Sequence, residues 1–334
     1  ISKDMVLMEV KNLPKIELHL HLEGAATPAF IKNLAAKKNM DLSKIFNSDG
    51  AYKFSNFTDF LTVYEIATEV LQTPDDFYNL TKQVLEECAK NNVVYLETFV
   101  SPQFCGSNDL VAWKEFFSAI YEASKESEIK FGIISRGIVT CIRHLGPDVA
   151  RNTALCAAST SGDWLVGFGM AGDESFGQPK DYAYSFKMAK EAGLKLTSHA
   201  GEWCGADSVR ATINDLDVQR IGHGVQAIDD QELVKILVEK GIVLETCPGS
   251  NVFLGVYPTL LSHPIKRLRD QGVKVTVSTD DPPFFRTTMN AEYESLSRAF
   301  GWTSQDFSHL NRIAIDAAFC DGVTKDRLLN ICKC

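Results

Sequence analysis

The run KIELHLH, residues 15–21, carries both the first structural signal of the chain and its first chemical signal. Apart from its two histidines, the run reads as a buried β-strand. Successive side chains of a strand point to opposite faces, so His19 and His21 lie on the same face. Two imidazoles on one face can bind one metal ion. The stretch therefore predicts a buried strand that ends in a pair of candidate metal ligands.

Seven further β-rich runs follow, each separated from the next by a stretch with helical spacing or helix-start signals. Strands that alternate with helices indicate parallel βα units, and eight such units close a barrel. Helical patterns at 76–92 and 229–241 fill two of the gaps. The predicted fold class is α/β, a (β/α)8 TIM barrel. Its later strands are expected at 93–100, 130–138, 165–171, 194–200, 220–225, 242–248 and 273–279.

Two parts of the chain are longer than a simple barrel requires. The first connection, residues 22–92, reads as several helices, and further helical pattern follows the last strand. No Pro/Gly/Ser-rich linker or shift in composition divides the chain. The extra helices, in the first βα connection and at the C-terminus, are therefore expected to decorate one barrel domain that spans residues 1–334.

The net charge, the cysteine pattern and the hydropathy of the chain limit the kinds of partner that it can bind. The formal charge of −9 disfavours nucleic acid, because binding a polyphosphate depends on Lys and Arg. A small neutral substrate fits better. The nine cysteines are odd in number and form no Cys-x-x-Cys pair, and no window has the roughly 18 apolar residues of a membrane span. We expect a cytoplasmic protein without disulfides or membrane contact, and its oligomeric state stays open.

Four more candidate residues come at the ends of predicted strands. His199 lies in TSHAGE, His223 in IGHGV, and Asp280 and Asp281 in VSTDDPPF. Barrel enzymes keep their active sites at the carboxyl ends of the strands, so these side chains should converge with the first pair. Other histidines lack this placement and are expected at the surface, in turns or on helices, and Cys247 is expected to be a small buried hydrophobe. These histidines are His144, His263 and His309.

Three imidazoles and a carboxylate suit zinc, which accepts N and O ligands and keeps one position open for water in catalytic sites. A metal ion that activates water indicates hydrolysis. Some barrel hydrolases bridge two metals through a modified lysine on the fourth strand. The fourth run, LVGFGMA, contains no lysine. One Zn²⁺ per chain is therefore expected.

The four motifs His-x-His, Ser-His-Ala-Gly-Glu, Gly-His-Gly and Ser-Thr-Asp-Asp occur in this order. With them the sequence resembles the adenosine deaminases of the amidohydrolase superfamily, and most of all the malaria-parasite branch. The resemblance implies zinc-dependent hydrolytic deamination of adenosine to inosine and ammonia in purine salvage. It also implies activity on 5'-methylthioadenosine, which members of that branch accept.

The same resemblance implies roles for individual residues. Glu202 would protonate N1 of the purine, and His223 would orient the attacking water and assist its deprotonation. Asp281 would hold the hydroxide and contact N7, and the backbone N–H of Gly172 would reach N3. The implied zinc ligands, of which His21 would also border the substrate, are His19, His21, His199 and Asp280.

Two positions depart from the pattern of many relatives. Glu23 replaces an aspartate that would bind the sugar 5'-hydroxyl, and Gly169 stands where the fourth-strand motif usually has aspartate. A shifted Glu23 carboxylate would leave room for a larger 5' group. Other readings stay open: a mononuclear deaminase of a free base or of a nucleotide, or a catalytically silent purine-binding barrel. A nucleotide would need a cationic phosphate cradle, and the presence of Glu202 and His223 disfavours the silent barrel.

Overall fold

The computed structural model describes residues 2–334. Eight parallel strands form one sheet in the order of the chain, as the sequence predicts. The surrounding helices bury the outer faces of the strands, and the inward side chains that fill the barrel bury their inner faces. The strands are β1 (Lys15–His21), β2 (Val93–Val100), β3 (Ile134–Ile142), β4 (Leu165–Ala171), β5 (Lys195–Ala200), β6 (Arg220–His223), β7 (Val243–Thr246) and β8 (Lys274–Val277).

The barrel is closed by backbone hydrogen bonds between β1 and the residues that follow β8. The Asp280 N–H donates to the His19 carbonyl (3.1 Å), and the His21 N–H donates to the Asp280 carbonyl (3.0 Å). Closure of the barrel therefore fixes the backbone of three candidate ligands at once.

Helices surround the barrel and extend it where the sequence predicts extra helical structure. Three of them fill the first connection, and three more follow the last strand, after a short helix. The helices are α1 (Lys3–Asn12), α2 (Pro28–Lys37), α3 (Phe57–Thr68), α4 (Pro74–Lys90), α5 (Leu110–Phe131), α6 (Pro147–Thr160), α7 (Ala183–Glu191), α8 (Gly205–Leu216), α9 (Gln231–Lys240), α10 (Pro248–Phe253), α11 (Ile265–Asp270), α12 (Pro282–Phe285), α13 (Met289–Phe300), α14 (Ser304–Ala317) and α15 (Gly322–Cys332).

The third strand begins later than predicted. The run 130–138 was expected to be extended, but β3 spans Ile134–Ile142. Residues up to Phe131 form the last turn of α5, and Gly132 ends this helix with a left-handed backbone (φ +73°). A helix of 22 residues therefore extends into the start of the predicted strand.

Helix α3 matters for function because it lies over the open end of the barrel. Asn56 caps its N-terminus by accepting a hydrogen bond from the Asp59 N–H. Phe60 and Val63 are buried, while Phe57, Leu61 and Tyr64 are partly buried and pack against the core. The helix thus contributes aromatic side chains to the cleft described below.

Two further expectations concern the whole chain. All nine cysteines are free thiols, as predicted. Within residues 2–334, no helix combines the length and hydropathy needed to cross a bilayer.

Candidate active site

The four expected ligands meet at the carboxyl ends of the strands. His19 and His21 extend from β1, His199 lies on β5, and Asp280 follows β8. One ligand atom from each residue lies within 4.8 Å of the other three. Three ring nitrogens and one carboxylate oxygen at these separations can bind one divalent cation.

Two of these rings are oriented by hydrogen bonds from their outer nitrogens. Nδ1 of His19 lies 2.8 Å from Oε1 of Glu245, and Nδ1 of His199 lies 2.8 Å from the Met170 carbonyl. Each Nδ1 donates to its oxygen, which leaves a lone pair on Nε2. Nε2 of His19 is buried without a hydrogen-bond partner, and Nε2 of His199 lies 3.3 Å from Nε2 of His21. These residues therefore fit a divalent metal such as zinc.

Glu245 is itself held as a carboxylate. Burial opposes its ionisation, but the adjacent Arg220 guanidinium lowers the pKa of Glu245 to about 2. Nε of Arg220 donates to Oε2 of Glu245 over 2.6 Å, and both side chains are buried. An anionic Glu245 accepts the Nδ1 proton of His19 and so fixes the ring in the form that binds metal.

A second group of possible ligand atoms includes Cys247, together with His19, His223 and Asp280. Burial raises the pKa of the Cys247 thiol well above its ordinary value, which disfavours the metal-binding thiolate. Nδ1 of His223 is already paired with Asn251. The first group is therefore the better metal site, and Cys247 is buried as expected.

The three residues expected to be catalytic lie beside the four candidate metal ligands. Nε2 of His223 is 3.4 Å from Oε2 of Glu202, and Oδ1 of Asp281 is buried without a hydrogen-bond partner. Burial raises the pKa of Glu202 well above its ordinary value, and the charge of Asp280 adds to this. Burial and Asp280 likewise raise the pKa of Asp281. The raised pKa of each carboxyl group favours its protonated form, in which it can donate a hydrogen bond into the cleft.

Two site residues have left-handed backbone conformations, which are uncommon outside glycine. The φ angle is +63° at His223 and +69° at Asp280. Such conformations cost free energy and are found preferentially at functional sites. They direct both side chains into the space at the end of the barrel.

Glu174 supports the site, a role that its sequence context alone does not predict. Its buried carboxylate accepts hydrogen bonds from the N–H groups of Glu202 (3.2 Å) and Trp203 (2.8 Å) and from the Ser208 hydroxyl (2.7 Å). This carboxylate therefore fixes the loop that carries Glu202. The only signal in the sequence is its place at the end of GDE, shortly after the fourth strand.

Gly172 has a close neighbour, His144. A Cβ on Gly172, whose φ is +102°, would lie 2.7 Å from Nδ1 of His144. That nitrogen accepts a hydrogen bond from the Asp173 N–H (3.1 Å). Gly169 is also tightly packed, because its Cβ would lie 3.2 Å from the Thr197 carbonyl oxygen. The aspartate usual at position 169 would not fit here without movement of β5.

Expectations for the three remaining histidines had different outcomes. His309 is exposed on α14, as predicted. His144 lies in a short 3-10 helix (Arg143–Leu145), within the expected range, but it also lines the cleft, 3.4 Å from Glu65. His263 lies in a turn, as expected, but it is 1% exposed and bonds to Asn251, which the sequence did not predict. The sequence SHP is typical of an exposed turn, and it gives no sign that the His263 ring is buried against the segment that follows α10.

Glu23, expected to contact substrate, is engaged within the protein. It is 3% exposed, and burial raises its pKa to about 7. One carboxylate oxygen accepts the Ser101 N–H (3.0 Å), and the other accepts the Tyr64 hydroxyl (3.3 Å). Ser101 and Tyr64 both line the cleft. The longer side chain therefore turns into the wall and does not present a free carboxylate.

These residues surround one cleft with about 660 Å³ of empty space, including its open mouth. One wall is aromatic and aliphatic, and the other carries the candidate metal ligands and the carboxyl groups. No Lys or Arg occurs among the described residues that line it. The lining residues are His21, Phe57, Phe60, Leu61, Tyr64, Glu65, Ser101, Phe104, Ile142, His144, Ala171, Gly172, His199, Glu202, His223, Leu254, Asp280 and Asp281.

The sequence model of a family described as adenosine deaminase matches residues 14–333. The chain belongs to the adenosine deaminase family. It is therefore an enzyme, a hydrolytic purine deaminase of the amidohydrolase type, and the predicted family is confirmed.

Similar members of the adenosine deaminase family are named after a different substrate. An adenine deaminase of Rhizobium rhizogenes is 46% identical over 320 residues, which is 95% of this chain and 98% of that protein. An adenine deaminase of Rhizobium leguminosarum bv. trifolii is 44% identical over 318 residues, with the same shares. These names do not support the predicted placement in the malaria-parasite branch.

Solved structures agree with the fold. The adenine deaminase from Arthrobacter aurescens has a TM-score of 0.89 at 28% identity, covering 96% of this chain and 98% of that one. An amidohydrolase from Burkholderia ambifaria with bound Zn has a TM-score of 0.85 at 24% identity, covering 100% and 95%. At 24% identity, the similarity to the second structure supports the fold and nothing further. The predicted TIM barrel is thus confirmed.

Proposed function

We propose that this enzyme hydrolyses adenine, the free base, to hypoxanthine and ammonia. The observation that carries this proposal is the 40–46% identity, over 95% of the chain, to proteins named adenine deaminase. The substrates predicted from sequence, adenosine and 5'-methylthioadenosine, are replaced in this proposal. Hydrolytic deamination itself, the predicted reaction type, is retained.

The wall near Glu23 supports the choice of a free base. A nucleoside needs a partner for its sugar hydroxyls, and the expected partner is bonded to Ser101 and Tyr64. A site that lacks a free polar group for a substrate hydroxyl gains nothing from that hydroxyl, and it must still desolvate it. A nucleotide is a poorer candidate still, because the described cleft wall carries no cation for its phosphate.

The proposed chemistry begins with binding of the flat purine against the aromatic wall. Asp281, with its raised pKa, donates a hydrogen bond to N7, and the Gly172 N–H donates to N3. One zinc ion would be held by His19, His21, His199 and Asp280, and when bound it would lower the pKa of a water molecule at the site. The cleft would place C6 of adenine beside that water.

Glu202 acts at N1. Its raised pKa keeps the carboxyl protonated, and it transfers this proton to N1 as the water oxygen bonds to C6. Charge develops on the ring only in this transition state, so the acid lowers the barrier selectively. The C6–N6 bond then breaks. The two protons of the water end on Glu202, which is restored, and on N6, which leaves as ammonia.

Parallel assays on adenine, adenosine and 5'-methylthioadenosine test this proposal. The products are separated and ammonia is measured. We expect kcat/KM for adenine to exceed that for either nucleoside by about 10², the factor by which a pocket discriminates against a hydroxyl for which it has no partner. A preference for adenosine would refute the free-base assignment. Failure of all three substrates would refute deamination of adenine and of its nucleosides.

A further inference from the structure

A buried chain of hydrogen bonds leads away from His223. Its Nδ1 lies 3.3 Å from Nδ2 of Asn251, and Oδ1 of Asn251 lies 2.9 Å from Nε2 of His263. Nδ1 of His263 lies 3.1 Å from the backbone nitrogen of Ile265. All four residues are at most 1% exposed. These residues join the catalytic histidine to the start of α11.

The directions of these bonds are fixed by one group that can only donate. The Ile265 N–H donates to Nδ1 of His263, so that nitrogen carries no proton. Burial lowers the pKa of His263 to about 3, and the ring is therefore neutral. A neutral ring without a proton on Nδ1 has its proton on Nε2. His263 therefore donates to Asn251.

The proton on Nε2 of His263 also determines the orientation of Asn251 and the tautomer of His223. An Nε2–H on His263 requires an acceptor, so Oδ1 of Asn251 must face it and the Asn251 amide NH₂ must face His223. The reversed amide would set two donors against each other. The NH₂ group then donates to Nδ1 of His223, which must be unprotonated. His223 is left with its proton on Nε2, 3.4 Å from Glu202 and 3.7 Å from Asp280.

We propose that Asn251 and His263 are positioning residues that hold His223 in the Nε2–H tautomer, so that His223 is a hydrogen-bond donor to the attacking oxygen and not its base. This inference rests on the proposed deamination. It replaces the role in water deprotonation that the resemblance implies for His223. A fixed donor aimed at an oxygen that gains negative charge stabilises the transition state without reorganisation.

The tautomer can be observed directly, without substrate. Long-range ¹H–¹⁵N spectra of the zinc-loaded, ¹⁵N-histidine-labelled enzyme distinguish protonated from unprotonated ring nitrogens. Signals are assigned by their loss in His223→Gln and His263→Gln. We expect a protonated Nε2 and an unprotonated Nδ1 in both rings at neutral pH. A proton on Nδ1 of His223, or on both of its nitrogens, would overturn the proposal.

Substitution of Asn251 tests the consequence for catalysis. Asn251→Asp offers only acceptors, so it should move the His223 proton to Nδ1 and lower kcat by about 10² to 10³, the usual effect of losing one oxyanion donor. KM and zinc content should stay unchanged. A shifted tautomer with wild-type kcat would refute the donor role. An unshifted tautomer in the folded variant would show that Asn251 does not set the tautomer of His223.

Substitution of His263 provides a matched pair. Gln at this position can donate from nearly the same place as Nε2, whereas Leu cannot, so His263→Gln should retain the tautomer and lose less kcat than His263→Leu. Equal losses in two folded variants would mean that His263 acts only by packing. Because the spectra need no substrate, an enzyme that preferred adenosine could still have the predicted tautomer. The two proposals therefore fail separately.

Discussion

His223 and Glu202 face each other in the cleft, with Nε2 of His223 3.4 Å from Oε2 of Glu202. His223 is the last residue of β6 and Glu202 follows β5, so two neighbouring strands place both groups at the same end of the barrel. N1 and C6 are adjacent atoms of a purine. A pair at this spacing can therefore act on both at once, the carboxyl group at N1 and the imidazole at the oxygen that attacks C6.

The acid role predicts the effect of Glu202→Gln. The amide cannot give a proton to N1, so kcat should fall by about 10² to 10⁴, the range that general acids supply. Bound zinc should stay at the wild-type level, because Glu202 is outside the ligand cluster. Elemental analysis and steady-state kinetics check both points. A kcat near the wild-type value in Glu202→Gln would show that Glu202 is not the general acid.

The raised pKa of Glu202 predicts the direction of the pH dependence. Burial and the charge of Asp280 favour the protonated carboxyl, which is the active form of an acid. Activity should therefore hold through neutral pH and fall on the alkaline side as Glu202 ionises. A kcat profile measured on adenine tests this. A steady rise in kcat from acidic to alkaline pH would contradict it.

Tyr64 is predicted to help exclude nucleosides. Tyr64→Phe removes the hydroxyl that binds Glu23, so one carboxylate oxygen becomes free to meet a sugar hydroxyl. We expect the ratio of kcat/KM for adenosine to that for adenine to rise by about tenfold, the worth of one buried hydrogen bond. Tyr78→Phe, which removes a hydroxyl bonded to Glu126, is the matched control. An unchanged ratio in Tyr64→Phe would exclude this role.

Glu174 is predicted to act through the loop that it holds. In Glu174→Gln the side-chain NH₂ would oppose the backbone N–H donors of that loop, and Glu202 would lose its position. We expect kcat to fall by about 10- to 100-fold, since bonds to a charged acceptor are each worth about 1.5–3 kcal/mol. Glu191→Gln, on the exposed side of α7, is the control. Wild-type kcat in a folded Glu174→Gln would show that the loop needs no such support.

Much of the fold could be predicted because its signals are local. The spacing of His19 and His21 in KIELHLH, and the repeated change from strand to helix pattern, depend only on neighbouring residues. The start of β3 could not be placed, because α5 continues until Gly132 ends it, and a short apolar stretch at a helix end cannot be told from the start of a strand by its pattern.

The residues behind the site were harder to predict. Glu174 bonds to a loop 27 residues and more away, and Asn251 bonds to a ring 28 residues away, so only the folded chain brings them together. His263 reads as a turn residue because a proline follows it. The left-handed backbones of His223 and Asp280 also leave no local signal, since neither residue is glycine.

The central claim is that a single metal site in this barrel deaminates free adenine. Its most direct test is to remove the metal with a chelator, titrate Zn²⁺ back, and measure hypoxanthine formed from adenine at each step. We predict that the rate rises in proportion to added zinc and stops rising at about one equivalent per chain. No hypoxanthine at any zinc level, or a rate that saturates only at two equivalents, would contradict the claim.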